Sequence, residues 1–163
     1  MYHATKEIPK ALVLISPKSK ISQKEKKGVD KLLRIPNFIF ELLRYWDRSG
    51  GLYSTSVNRG LHITASQELR KRQLRWNIQN DTPTLKRTLS QVQWATQNDY
   101  EKIHCPTLLI AGQEDHVTPP SHMHVIDEWI RHGSSSDRNI KRPICSKLCI
   151  PNTSHQVMLE NAG

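Results

Sequence analysis

The sequence predicts an α/β fold with about three parallel strands, flanking helices and a helical insertion. Three observations carry that expectation. Two short strand-forming runs, Ala11 to Ile15 and Thr107 to Ile110, are bounded by proline or glycine, as strands buried on both faces are. A third, weaker run spans residues 146–150 and closes at Pro151-Asn152. Between the first two lie residues 18–104, mostly of helical character and far longer than the single helix a parallel crossover requires.

In order along the chain, Ala11 to Ile15 is a strand ended by Pro17. The lysine-rich run 18–28 reads as a solvated, flexible excursion, since no aromatic residue is interleaved among its lysines. A helix follows Ile35-Pro36, with positions 38/39, 42/43 and 46 on one face. Asp47 to Gly51 ends it, glycine being available for a left-handed terminal residue. Residues 52–63 read as loop, and Thr64-x-x-Gln67 matches a capping box opening a strongly polar helix that reaches Asn80. Asp81-Thr82-Pro83 starts the next helix, with Leu85, Leu89 and Val92 at i, i+4, i+7 spacing. After the central strand, Thr118 is expected as N-cap and Pro119 as first residue of a helix reaching Arg131, with Met123, Ile126 and Ile130 inward. Residues 133–142 read as a polar loop, and a turn with a short helix start follows the last strand.

Composition narrows the class. At 163 residues a single domain is the default, although 36% hydrophobic and 24% charged residues, with a mean hydropathy of −0.61, are polar for a self-sufficient globule. No stretch approaches the roughly 18 apolar residues of a membrane span, and the N-terminus lacks a signal-peptide pattern, so a cytoplasmic setting is expected. Cys105, Cys145 and Cys149 are too few and too irregular for a zinc ribbon and are expected as buried or partly buried free thiols. The net charge of +9 is uneven: residues 1–35 hold nine Lys/Arg against three acids, whereas residues 105–163 hold five against six. Nucleic acid or an anionic membrane surface would suit the basic front end, but no binding motif accompanies it, and no specific nucleic acid is expected. His116, His122 and His124 read as surface histidines, because 122 and 124 point in different directions on a helix. Neither a metal nor a cofactor is expected.

The chemistry-bearing residues are Asp115 and His155. Each sits in a loop just past the carboxyl end of an expected parallel strand, where open α/β sheets place their sites. Neighbouring parallel strands lie about 5 Å apart, so these side chains can reach one another. The carboxylate would then hold one ring nitrogen and leave the other as general base. The bland alternatives are a carboxylate capping the following helix and a loop histidine bonded to backbone.

Two motifs, P-T-L-L-I-x-G-x-x-D-x-x-x-P from Pro106 and S-H-x-x-x-L-E from Ser154, resemble the C-terminal half of the α/β-hydrolase family. The first looks like its strand seven with the acid loop, the second like its histidine loop. By the same resemblance A-L-V-L-I-S-P, from Ala11, is strand six. Residues 1–17 and 105–163 would belong to a partial hydrolase core and residues 18–104 to a helical cap over the active site. The segments Arg44 to Gly51 and Ser56 to Arg59 resemble cap regions of some fungal members. The family places its nucleophile in G-x-S-x-G, and none of the seven glycines opens or closes such a motif.

The expectation is therefore a truncated hydrolase-like chain holding the acid and base of a Ser-His-Asp triad without its nucleophile. An ester-type small molecule would be its substrate once an N-terminal half completed it, and the chain alone would be inactive. Ser16, Ser154 and Ser134 to Ser136 are the hydroxyls nearest these loops, and none stands in an elbow context. A non-catalytic partner-binding remnant is the rival reading. Poor solubility or a molten state is expected in either case unless the chain self-associates through the exposed edge of the first strand.

Overall fold

The computed structural model describes residues 9–133 and 143–161. The expected loop 134–142 with Ser134 to Ser136, residues 1–8 of the first unit and residues 162–163 lie outside the described residues. The elements run β1 (Leu12–Ile15), α1 (Gln23–Arg34), α2 (Asn37–Ser49), a 3-10 turn (Gly51–Tyr53), α3 (Thr55–Gly60), α4 (Gln67–Gln79), α5 (Thr82–Gln91), α6 (Gln97–Glu101), β2 (Thr107–Gly112), α7 (Ser121–Gly133), β3 (Cys145–Ile150) and α8 (Val157–Glu160). The three strands form one parallel sheet in the order β1-β2-β3. Leu14 stands beside Leu109, and Thr107 beside Cys145. No helix of the described residues is long and apolar enough to cross a membrane.

One face of the sheet makes the core. Leu109, Ala111 and Cys145 pack with Met123, Ile126 and Ile130 of α7 and Tyr100 of α6, and Leu14 flanks them. The i, i+3, i+7 spacing of the α7 residues places them on one stripe, as the sequence indicates. The opposite face is open at its margins: Val13, Ile15 and Leu148 are 54, 42 and 47% exposed. The expectation that β1 is buried on both faces is therefore corrected. β2 has a strand on each side and is mostly buried, whereas β1 is bonded on one side only.

The helical insertion departs from expectation in four places. The lysine-rich run enters a helix at Gln23, because Ser22 and Glu25 cap it reciprocally and Lys18 Nζ reaches Glu25 at 2.5 Å. Residues 52–63, expected as loop, contain the 3-10 turn and α3. On α2 the face of Phe38, Leu42 and Trp46 is exposed, and Phe40 is the buried residue. Its polar side turns inward instead: Arg44 donates to Thr82 Oγ1 at 2.9 Å and to the Asn77 carbonyl at 2.7 Å. At α4 the N-cap is Ser66, whose Oγ accepts from Leu69 N–H, and not Thr64. The left-handed glycine expected after α2 is Gly51, at φ +58°.

Arg70, 1% exposed, knits this insertion together. Its guanidinium donates to the carbonyls of Leu52, His62, Ile63 and Ala65 and to Asn58 Oδ1, and it lies over the Tyr53 ring. Removing the donor strands several buried acceptors at once. Arg70→Ala is expected to lower the unfolding free energy by about 3 kcal/mol or more, measured by urea denaturation.

Candidate active site

The loops after β2 and β3 meet where the sequence places them. Gln113 N–H donates to the Ile150 carbonyl at 2.9 Å, and Glu114 N–H to the Thr153 carbonyl at 3.0 Å. A glycine is needed at their junction: a Cβ on Gly112 would lie 2.2 Å from the Ser154 carbonyl oxygen and 2.3 Å from that of Thr153. Such closeness lets the loops run side by side and brings residues 115 and 155 into bonding range.

Asp115 is buried, its side chain wholly so. Oδ1 accepts from the N–H groups of Val117 and Thr118, both at 2.8 Å. Oδ2 accepts from Thr118 Oγ1 at 2.7 Å and from His155 Nδ1 at 2.9 Å. Burial pushes the carboxyl upward, but the bonds from His155 and Thr118 outweigh it and hold the pKa at about 2. Ionised, the carboxylate can only accept, so His155 Nδ1 carries a ring proton, and in the neutral ring that leaves the Nε2 lone pair free. The His155 ring is 36% exposed and borders a shallow cavity with Ile15 and Met158. Ser16 Oγ donates to the His155 carbonyl at 3.1 Å, and Ser16 has a left-handed φ of +48°.

Comparison with known proteins agrees with this fold. An esterase from Exiguobacterium antarcticum superposes with a TM-score of 0.65 at 15% identity, over 98% of this chain and 55% of that one. MGS-M2, an α/β hydrolase enzyme from a Medee basin deep-sea metagenome library, gives 0.63 at 20% identity, over 94% and 52%. An abhydrolase domain-containing protein of Schizosaccharomyces pombe is 32% identical over 111 residues, which are 66% of this chain and 30% of that protein. The chain is related to the α/β hydrolases and shares their fold. No family model matches it. The chain spans about half the length of these solved α/β-hydrolase chains and 30% of the fission-yeast relative.

Other features of this chain, which shares the α/β-hydrolase fold, were only partly visible in its sequence. Thr118, expected as the N-cap of α7, serves Asp115 instead, and α7 begins at Ser121. Asp115 thereby combines the two readings offered for it, since it organises the turn before α7 and also holds His155. Ser154 is 3% exposed, and Ser16 is committed to the His155 carbonyl. His122 is not a plain surface group: Ser19 N–H reaches its Nδ1 at 3.2 Å and Ser19 Oγ at 2.6 Å. Burial lowers its pKa, helped by Lys18. Cys105 and Cys145 are buried free thiols, whereas Cys149 is exposed. Among the described residues, no three His, Cys, Asp or Glu side chains gather as a metal site would require. Glu114, Glu160 and His62, which bind the insertion to both loops, carried no signal beyond the place of Glu160 in the histidine motif.

Proposed function

We propose that Asp115 and His155 are the acid and base of a Ser-His-Asp hydrolase acting on carboxylic esters. The observation that carries the proposal is the 2.9 Å contact from His155 Nδ1 to Asp115 Oδ2, with the ring edge toward solvent. Nε2 would take the proton from an attacking hydroxyl and return it to the departing alkoxide, while Asp115 stabilises the imidazolium between the two steps. The hydroxyl and the oxyanion donors come, on this reading, from sequence outside residues 1–163, and residues 18–104 act as a cap over the completed site. This chain alone would then hydrolyse little or nothing, because an acid–base pair without a nucleophile has nothing to activate.

A fluorophosphonate probe tests the division of labour. No labelling of the isolated chain is expected, and a labelled serine within residues 1–163 would refute it. A cytoplasmic setting fits the three free thiols.

A second reading, a non-catalytic partner-binding chain, is favoured by one feature. β1 presents an outer edge with Val13 and Ile15 exposed, a surface suited to another strand, including that of a second copy. Val13→Lys on that face is expected to abolish any self-association seen by light scattering. An oligomer that persists in the variant would move the contact elsewhere. The lysines of α1 lack aromatic neighbours in sequence and make, by this reading, no specific nucleic-acid site.

A further inference from the structure

We infer that His62 is a positioning residue through which the helical insertion holds the loops of Asp115 and His155 in register. The inference rests on the reading of those two residues as an acid–base pair. One insertion residue is gripped by two carboxylates, Glu114 in the acid loop and Glu160 at the end of α8, which follows the histidine loop. His62 Nε2 meets Glu114 Oε2 at 2.8 Å, and Glu114 precedes Asp115. The His62 backbone N–H donates to Glu160 Oε2 at 2.7 Å, while Glu160 Oε1 accepts from the N–H of Ser154 at 3.1 Å. Ser154 in turn precedes His155. The contacts close a ring: Asp115, Glu114, His62, Glu160, Ser154, His155 and back to Asp115.

His62 is itself held firmly enough to act as a reference point. It is 7% exposed, and its carbonyl accepts from the buried Arg70 at 2.9 Å. Its Nδ1 accepts from the N–H of Thr64 at 3.3 Å and lies 2.7 Å from Thr64 Oγ1. With Nδ1 accepting, Nε2 carries the proton and donates to Glu114. The insertion is also tied to the histidine loop by Gln156, whose N–H reaches the Gly60 carbonyl at 3.1 Å and whose side chain reaches Gln73 at 2.5 Å. Glu114 is 48% exposed at its side chain, so without the His62 ring water competes for it and the acid loop loses its outer anchor. Any displacement of the insertion moves both loops, so its seating and the Asp115–His155 contact change together.

The test is the tautomer of His155, read by nitrogen NMR of the imidazoles in the full chain. The parent is expected to show one Nδ1–H form bonded to Asp115. His62→Ala and Glu114→Ala are each expected to lose that single signal and show averaged tautomers. Glu114→Ala lies at the surface and leaves no buried hole, so it reports even where His62→Ala fails to fold. His62→Gln, whose amide N–H can replace Nε2–H, is expected to restore the parent signal. Ile130→Val, on the core-facing side of α7, is expected to lower the melting temperature without touching the signal. A Nδ1–H signal that survives both alanine variants, with only the melting temperature reduced, overturns the positioning role. Asp115→Asn keeps the two readings apart, because an unchanged Nδ1–H form in that variant would refute the acid–base pair itself.

Discussion

Replacing Asp115 with alanine is expected to destabilise the chain by about 3 kcal/mol or more, the cost of leaving several buried donors without an acceptor. Four donors converge on that carboxylate: two backbone N–H groups, the Thr118 hydroxyl and the His155 ring. Asparagine separates structure from chemistry. Its Oδ1 can still accept from Val117 and Thr118 N–H and keep the turn, but its amide N–H₂ would face His155 Nδ1 and force the proton to Nε2. Asp115→Asn should therefore unfold at a denaturant concentration closer to the parent than Asp115→Ala, yet abolish any activity of a completed enzyme. Urea denaturation of both variants checks the order, and equal loss from both would contradict it.

The same carboxylate sets a pH dependence with a definite sign. Its folded pKa, about 2, lies below the ordinary aspartate value of 3.8, so the unfolded chain binds the proton more readily. The stabilisation is fully present above pH 4 or so and is lost as pH falls through the folded value near 2. The difference in pKa corresponds to about 2 kcal/mol for this wholly buried side chain. Unfolding free energy measured from pH 6 to pH 2 should fall by less in Asp115→Asn than in the parent.

Gly112→Ala is the second large effect expected. The added methyl would lie within 2.3 Å of two backbone carbonyl oxygens, and backbone cannot yield as the end of a flexible side chain can. Overpacking of this kind costs about 1–3 kcal/mol where the surroundings can shift, and more here, since Gln113 and Glu114 N–H bonds to the neighbouring loop would be pulled apart together. Loss of the His155–Asp115 contact should accompany the loss of stability. A variant with parent-like melting temperature would show that the loops are not packed as described.

Much of the fold was legible in the chain. Proline and glycine punctuate each strand, and the i, i+3, i+7 spacing of Met123, Ile126 and Ile130 marks the face of α7 that packs on the sheet. The sequence was less informative where local signals compete. Both Thr64 and Ser66 could open α4, and Thr64 was free to cap it until the His62 ring claimed its hydroxyl. Thr118 and Pro119 look like a helix start, but a buried carboxylate three residues earlier is the stronger claimant for that hydroxyl.

What the sequence by itself determined is the order of the three strands and of helices α2, α4, α5 and α7, and the placing of one acid and one imidazole just past neighbouring strands. Those features depend on residue periodicity and on the few residues that allow tight turns, both local properties. Only the tertiary structure decided that α2 turns its aromatic face outward, that β1 keeps one face open, and that His62 joins the two loops. His62 and Glu160 are separated by 98 positions, and no periodicity spans such a distance. Contacts of that kind arise from packing between elements, which fixes the partner of each polar group only once the chain has folded.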